Sequence, residues 1–265
     1  QSKARKVIVD TDVDIDDVLA LNFLLKEPTI NVVAIVITST GFATAGAGYD
    51  LVRQSLQLLG ANDIDVGVGP LYAIAEREPK PGTCDYSQIL PRSSKVHVNT
   101  LLGMKNEYLP YSPIFWQPEK NKTATVPGSA AVYAKHVAAG VSTVLTLGPM
   151  TSLADFKAQN PTLYGRLTHL YSMLGAVFVR GNIWTIPENE VSEVNALLDP
   201  HAARDVINNS TNWESIVLVP LDATKDVLTT ADYVEALASL TTPEGELAYQ
   251  IALHEMSNWR SRNAY

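Results

Sequence analysis

Five aspartates fall within eight residues near the start of the chain, at Asp10, Asp12, Asp14, Asp16 and Asp17. They come directly at the end of an apolar segment, Val7–Asp10, which has the composition of a short buried strand. Carboxylates that converge at a strand end repel one another and bind protons unless a cation lies among them. Oxygen ligands are typical of Ca²⁺ or Mg²⁺ sites, and a flexible site with many oxygens favours Ca²⁺. This turn therefore predicts a calcium site.

Three other interpretations of the acidic turn fit less well. Capping and the helix dipole favour aspartate at a helix start, but they account for two or three carboxylates rather than five. An EF-hand loop has Gly at the position of Ile15 and a bidentate Glu at the position of Leu21, so it does not match. A phosphatase of the haloacid-dehalogenase type also begins with a strand and Asp-x-Asp, but its later lysine and second acidic pair have no convincing match.

The turn lies in a chain that alternates short apolar strands with amphipathic helices. A helix is predicted at Asp16–Lys26, and a second strand and helix at Asn31–Ile37 and Tyr49–Leu59. The other predicted strands are Asp65–Val68, Val144–Leu147, His169–Leu174 and Ile216–Pro220, and the other helices are Ser129–Ala139, Ser152–Ala158, Pro200–Asn208 and Glu244–Trp259. This order predicts an α/β fold, a Rossmann-like open and mostly parallel sheet with helices on both faces.

Two features of that chain concern its connections. Residues 70–128 hold much of the proline and few periodic segments, so they are predicted to be a long excursion over the sheet. Ser152 and Asp155 have the spacing of a capping box, which predicts a helix that begins just after a Gly148-Pro149 turn. That turn places Thr151 near the carboxyl end of a strand.

The composition excludes several classes of partner. The chain has 265 residues, of which 46% are hydrophobic and 18% charged, and we expect one domain over residues 1–265. Its net charge is −8, and there is no block of basic residues, which argues against nucleic acid or an anionic membrane surface as a partner. The longest apolar segments are far shorter than the roughly 20 residues that span a bilayer. A cation and a small neutral ligand fit this composition better.

The sequence resembles the nucleoside hydrolases, enzymes that release the base from ribonucleosides with water. The family motif Asp-Thr-Asp-Pro-Gly-x-Asp-Asp is present with Val13-Asp14 in place of Pro-Gly, a variant similar to the extracellular plant-type branch. Six further motifs occur in the family's order, at Leu147–Ala154, Met173–Ala176, Gly181–Ile183, Ser192–Asn195, Leu198–Pro200 and Val219–Thr224. Together they cover about residues 5–230 and imply the nucleoside hydrolase fold.

The resemblance implies a role for particular residues. Asp12 and Asp17 match calcium ligands, and Asp12 also matches the general base. Thr151 matches the position whose backbone carbonyl ligates the metal. Asp10 is expected to contact the metal ligands and hold them in position without binding the metal itself. The residues implied to bind the substrate are Asp16, Thr40, Met173, Asn182, Glu193 and Asn195.

The resemblance also implies an activity, calcium-dependent hydrolysis of the N-glycosidic bond of a ribonucleoside to free base and ribose. Three departures keep an alternative open. Val194 replaces the phenylalanine of the family's Glu-Phe-Asn, and Thr40 replaces the Asn that usually follows the second strand. The family's C-terminal metal-binding Asp has no counterpart before Tyr265, so we expect that the family's C-terminal segment is absent from these residues. The alternative is a catalytically impaired homologue that binds a sugar or nucleoside.

The resemblance and the glycosylation triplets also give an expected location and expected partners for the protein. Three glycosylation triplets begin at Asn121, Asn208 and Asn209, and with the plant-type resemblance they predict an extracellular, secreted protein, the alternative being a cytoplasmic one. The expected partner is a small-molecule ribonucleoside, with no nucleic acid and no membrane. A homo-oligomer is left open.

Overall fold

Six strands form one parallel sheet in the computed structural model, which describes residues 4–43, 45–74, 126–183 and 189–262. The strands lie in the order β3-β2-β1-β4-β5-β6, and every neighbouring pair is parallel. Their bounds are β1 Arg5–Thr11, β2 Ile30–Ile37, β3 Asp65–Val68, β4 Thr143–Thr146, β5 His169–Met173 and β6 Ser215–Val219. The predicted Rossmann-like parallel sheet is therefore confirmed.

Helices connect these strands and continue after the last of them. Those that pack on the sheet or close to it are α1 Ile15–Lys26, α2 Ala45–Leu58, α3 Ser129–Ala138, α4 Thr151–Gln159 and α7 Pro200–Asn208. The shorter and later ones are α5 Pro161–Tyr164, α6 Val194–Leu198, α8 Leu221–Thr224, α9 Ala231–Ala238 and α10 Pro243–Arg262. Each helix predicted from the sequence is present, with ends that differ by a few residues.

The two faces of the sheet carry separate apolar cores. Ile8 points to one face, where it packs with side chains of α3, α4 and α7. Its neighbours Val7 and Val9 point to the other face, where they pack with α1, α2 and α10. Because side chains alternate along a strand, a strand covered on both faces is apolar at successive positions. This explains the uninterrupted apolar run that precedes the aspartates.

The predicted capping box at Ser152 is wrong. Helix α4 begins one residue earlier, at Thr151, and its N-cap residue Met150 makes no side-chain capping bond. Ser152 therefore lies inside the first turn and is fully buried. Asp155 accepts a hydrogen bond from Gln159 one turn further along the helix instead. The spacing matched the motif, but the N-cap position is Met150, two residues before Ser152, so Ser152 cannot cap the helix.

The excursion predicted for residues 70–128 lies mostly outside the described residues, which omit 75–125. At its two described ends, the chain leaves the sheet after β3 and returns through a bridge between Val68 and Gly128. Among the helices of the described residues, none has the length and apolarity to cross a bilayer.

The strand order places a crevice at the acidic turn. Chain connections run outward in one direction from β1 to β3 and in the other direction from β4 to β6. In open parallel sheets, the carboxyl ends of the strands on the two sides of such a reversal form the ligand crevice. Here those two strands are β1, which ends just before Asp12, and β4, which ends just before Leu147.

Candidate active site

The acidic turn folds into a compact loop between β1 and α1. Asp10, Asp12 and Asp17 are buried, whereas Asp14 is half-buried and Asp16 is exposed. The carboxylate of Asp17 accepts hydrogen bonds from the Thr11 hydroxyl and, at 3.0 Å, from the backbone N–H of Val13. These bonds draw the start of α1 back onto the end of β1. The loop therefore presents its carboxylates together rather than spreading them over the surface.

Val13 adopts a backbone conformation that is rare for its type. Its φ angle is 61°, in the left-handed region that β-branched residues seldom enter. The backbone N–H of Val13 is held by the Thr11 hydroxyl and the Asp17 carboxylate, and its side chain is buried in the core. Strain of this kind persists only where surrounding contacts hold it, and it concentrates at functional sites. Here it is located at the turn that carries the aspartates.

Two glycines allow neighbouring loops to close on the Asp12 carboxylate. A Cβ atom at Gly41, in the loop after β2, would lie 2.1 Å from Asp12 Oδ2. A Cβ atom at Gly148, in the loop after β4, would lie 2.8 Å from Asp12 Oδ1. The backbone N–H of Phe42 also donates to Asp12 Oδ2, at 3.1 Å. The backbone of two loops therefore encloses Asp12 from both sides, and it can do so because the residues at the contact are glycines.

Burial gives these carboxylates unusual acidities. The pKa of Asp12 is raised, mainly by burial and then by the charges of Asp14 and Asp16. The pKa of Asp17 is raised as well, by burial and by the neighbouring charge of Asp12. Burial raises the pKa of Asp10 to about 8, although a hydrogen bond from Tyr133 opposes the shift. A cation bound among these groups would favour their charged forms and reverse the shifts.

A cavity of about 670 Å³ opens beside the turn and collects most of the predicted residues. Its walls come from the carboxyl ends of β1, β4 and β5, from α1, and from the segments around α6 and α9. The predicted residues that line it are Asp12, Asp16, Asp17, Met173, Asn182, Glu193 and Asn195. The structure thus brings together side chains that are up to 183 positions apart in the sequence, from Asp12 to Asn195.

Glu193 and Asn195 line the cavity and also organise its backbone. The Glu193 carboxylate caps α6 by accepting from the N–H groups of Asn195 and Ala196, and it accepts from Gly175 as well. The Asn195 side-chain amide donates to the carbonyl oxygen of Leu147 at 2.8 Å and to that of Met173 at 3.2 Å. These two side chains therefore tie the ends of β4 and β5 to α6.

The family of this chain is decided by its sequence as a whole. Residues 7–264 match the family model described as inosine-uridine preferring nucleoside hydrolase. The chain belongs to this family. Nucleoside hydrolase 4 of Arabidopsis thaliana is 29% identical, and the match covers 95% of this chain and 50% of that protein. Nucleoside hydrolase 3 of the same plant is 31% identical, and the match covers 95% of this chain and 31% of that protein. The chain thus spans half, or less, of these two curated relatives.

Solved structures agree with this family assignment. A plant nucleoside hydrolase superposes with a TM-score of 0.71 at 26% identity, over 94% of this chain and 70% of that one. The inosine-uridine preferring nucleoside hydrolase of Bacillus anthracis superposes with a TM-score of 0.66, over 93% of this chain and 76% of that one. At 20% identity, the second likeness concerns the fold alone.

Thr40 and Thr151 are not among the residues that line the cavity. Both are buried, and their hydroxyl groups are hydrogen-bonded to each other at 2.8 Å. The Thr151 hydroxyl also donates to the buried carboxylate of Asp199. From the same part of the chain, Leu147 is the residue that lines the cavity, four positions before Thr151. Neither threonine belongs to the cavity lining, and the substrate contact of Thr40 and the metal-ligating backbone carbonyl of Thr151 stay predictions.

Several cavity residues were missed by the sequence analysis. Phe42 follows Gly41 in the loop after β2, and an aromatic residue next to a loop glycine could have drawn attention to it. Leu147 ends an apolar strand before Gly148-Pro149, which marks the strand end. The remaining apolar lining, Leu19, Val227, Leu228 and Tyr233, carries no local signal because apolar residues are more often core residues.

The oxygen atoms of two buried carboxylates fit a hard cation. Among the residues that the structure describes, no group of three or more His, Cys, Asp or Glu side chains is arranged closely enough to hold a metal ion. Asp12 and Asp17 nevertheless form a buried carboxylate pair, and the pKa of each is raised by the proximity of like charges and by burial. Two buried carboxylates with no cationic side chain in the cavity lining match oxygen ligation of a divalent ion.

Proposed function

We propose that this protein hydrolyses the N-glycosidic bond of ribonucleosides, releasing the free base and ribose, with Ca²⁺ bound by Asp12 and Asp17. The observation that carries the proposal is the composition of the cavity lining. Carboxylates and amides from Asp12, Asp16, Asn182 and Asn195 line the same cavity as apolar and aromatic side chains. A ribonucleoside combines the same two kinds of surface, a sugar rich in hydroxyl groups and a flat base.

The polar part of the cavity suits a ribose. Carboxylate oxygens accept hydrogen bonds from hydroxyl groups, and amides both donate and accept, so a sugar with adjacent hydroxyls can be held from several directions. Asp16 is exposed at the cavity, which leaves its carboxylate accessible to a ligand. The Asn182 amide oxygen accepts from the backbone N–H of Val194, which orients its NH₂ group as a donor.

The apolar part of the cavity suits the base. Val227 and Leu228 are 80% and 71% exposed, so they lie at the open end rather than in the core. Phe42 and Tyr233 add aromatic rings to the lining. A base placed among these groups would be held mainly by stacking and burial of apolar surface, which discriminates weakly between purines and pyrimidines.

The chemistry at the sugar follows from the placement of Asp12. The reaction breaks the bond between the anomeric carbon and the base nitrogen and forms a bond from that carbon to a water oxygen. In the proposed reaction Asp12 accepts the proton that the water loses, and the base departs with the bonding electron pair and takes up a proton in turn. The sugar passes through a state with positive charge at the anomeric carbon, which the surrounding carboxylates stabilise.

The proposed Ca²⁺ would lower the pKa of the attacking water. Asp12 and Asp17 supply its anionic oxygens. Its backbone ligand is better assigned to the carbonyl of Leu147 than to that of Thr151, because Leu147 lines the cavity and Thr151 does not. Ca²⁺ accepts six to eight oxygens, so ribose hydroxyls and water complete the set.

The experiment is turnover of uridine, inosine and adenosine, with ribose release measured as reducing sugar. Asp12→Asn keeps the shape of the side chain but removes its charge and its ability to accept a proton. We expect it to reduce turnover by about 10²–10⁴-fold, the usual contribution of a general base. Asp63→Asn is the matched control, because Asp63 is exposed and remote from the cavity lining.

Two outcomes would contradict the proposal. Turnover of Asp12→Asn within tenfold of the wild-type protein would remove Asp12 from its role. Binding of ribose or nucleosides without any ribose release by the wild-type protein would favour the impaired, sugar-binding homologue.

We also propose that the protein is extracellular. Asn208 and Asn209, which begin two of the glycosylation triplets, are exposed at the end of α7, as an acceptor site requires. The third triplet, at Asn121, lies outside the described residues. Mass spectrometry of the protein secreted from a eukaryotic host, before and after enzymatic removal of N-glycans, tests this. Recovery of the protein in the cell lysate alone, with no glycan mass, would contradict it.

A further inference from the structure

Tyr133 connects the core of the protein to the acidic turn. It lies on α3, is fully buried, and donates a hydrogen bond from its hydroxyl to Asp10 Oδ2 at 2.7 Å. The two residues are 123 positions apart, so only the packing of α3 on the sheet brings them together. The bond is a charge-assisted one when Asp10 is ionised, and such bonds are about twice as strong as neutral ones.

The ring of Tyr133 has a separate reason for its position. It stacks on Phe156 with ring centroids 5.0 Å apart and an interplanar angle of 13°. Phe156 in turn contacts Tyr164, which packs edge-on against Trp213. A phenylalanine would keep this row of rings intact. The hydroxyl is therefore not needed for packing, and burying it without a partner would cost roughly 1–3 kcal/mol.

Asp10 connects this hydroxyl to the cavity residues. Its backbone carbonyl accepts a hydrogen bond from the N–H of Leu147 at 2.7 Å, and Leu147 lines the cavity. Its second carboxylate oxygen, Oδ1, is buried and has no hydrogen-bond partner among the described residues. Tyr133 thus engages one oxygen of Asp10 and leaves the other without a partner, and Asp10 lies close enough to Asp17 for their charges to interact.

From this geometry we infer that Tyr133 is a positioning residue for the cation site, acting through Asp10. Its hydroxyl holds the Asp10 carboxylate in one orientation, which leaves Oδ1 to accept a hydrogen bond from a water molecule bound to the cation. The inference rests on the cation of the proposed function. Mutation of a group that hydrogen-bonds to a metal ligand typically lowers the metal affinity by about 10–100-fold.

The test is the affinity of Ca²⁺ for Tyr133→Phe, measured by calorimetric titration of the metal-free protein. We expect a loss of about tenfold in affinity, with a thermal melt close to that of the wild-type protein because the ring stack is kept. Turnover should fall at low Ca²⁺ and recover as Ca²⁺ is raised to saturation. Tyr164→Phe is the matched control, since Tyr164 belongs to the same row of rings and its hydroxyl contacts Ser210, away from the turn.

The outcomes separate this inference from the proposed function. Ca²⁺ binding and ribose release by the wild-type protein test the proposed function alone, and absence of Ca²⁺ binding there overturns both. Wild-type binding with equal affinities in Tyr133→Phe and Tyr164→Phe overturns only the inference. Asp10→Asn provides a second measurement that leaves the ring stack untouched. Because Tyr133 is inferred to act through Asp10, Ca²⁺ affinity within twofold of wild type in Asp10→Asn would also overturn it.

Discussion

Glu193 Oε2 accepts a hydrogen bond from the backbone N–H of Gly175 at 3.0 Å, which joins the start of α6 to the loop that leaves β5. Gly175 has a φ angle of 91°, a conformation that favours glycine, so the loop can turn sharply towards Glu193. The same carboxylate caps α6 through Asn195 and Ala196. Glu193 is therefore a structural residue of the cavity wall as well as part of its lining.

Replacement of Glu193 by alanine is expected to destabilise the fold. The change leaves three backbone N–H groups without their acceptor and removes a helix cap, which together should lower the free energy of unfolding by about 2–3 kcal/mol. Urea denaturation followed by circular dichroism measures this. Glu190→Ala is the control, because Glu190 is exposed and its ion pair with Arg180 should contribute little. A Glu193→Ala midpoint equal to that of wild type would contradict the capping role.

Gly41→Ala is expected to reduce turnover strongly while leaving most of the fold intact. The added Cβ would overlap the Asp12 carboxylate, so either Asp12 or the loop after β2 must move. A displacement of about 1 Å at a reacting group can reduce the rate by 10²-fold, which is the loss we expect in kcat/KM. Gly46→Ala lies in α2 with open space around it and should be neutral or stabilising by up to about 1 kcal/mol. Near-normal kcat/KM in Gly41→Ala would show that Asp12 is not held as described.

These two substitutions also show what the sequence could and could not predict. The strands and the acidic turn were predictable because their signals are local, in an apolar run followed by closely spaced aspartates. The capping role of Glu193 was not, since one of its partners, Gly175, comes from a loop 18 positions away. The pairing of Thr40 with Thr151 joins residues 111 positions apart, and no local pattern shows which way such side chains point. Most of the residues that the motif matches indicated line the cavity, but a motif does not show the direction in which each side chain points.

Removal of divalent cations is expected to reverse the pH dependence of stability. The pKa of Asp10 and Asp12 is raised to about 8 and about 7, above the ordinary value near 4, so the metal-free folded state binds more protons than the unfolded chain between these limits. The stability of the metal-free protein should therefore fall as pH rises from 5.5 to 8. With Ca²⁺ present it should rise instead, because the metal binds the ionised carboxylates more tightly at high pH.

Thermal melts at pH 5.5, 7 and 8, in a chelator and in millimolar Ca²⁺, measure this reversal. Asp65, Asp222 and Glu244 have lowered pKa values, so they are already ionised in this range and contribute no slope of their own. Asp12→Asn should flatten part of the metal-free slope. Identical pH profiles with and without Ca²⁺ would contradict a cation at the carboxylate pair.

Binding of Ca²⁺ and ribose is expected to be cooperative. Of the four aspartates that line the cavity among the described residues, Asp12 and Asp17 are the two proposed to bind Ca²⁺, which accepts six to eight oxygens. If ribose hydroxyls complete the set, Ca²⁺ should bind weakly alone and more tightly when ribose is present. Two ligands that share a site raise each other's affinity by the same factor, typically about 5–150-fold. Calorimetric titration of Ca²⁺ with and without saturating ribose measures the factor, and the reverse titration must return the same value.

Asn182→Ala, which removes a sugar-facing amide but no proposed cation ligand, should reduce ribose affinity while leaving Ca²⁺ binding in the absence of ribose unchanged. Tight Ca²⁺ binding that does not respond to ribose would mean that protein oxygens alone complete the coordination, and the sugar would then have to be held without contact to the cation.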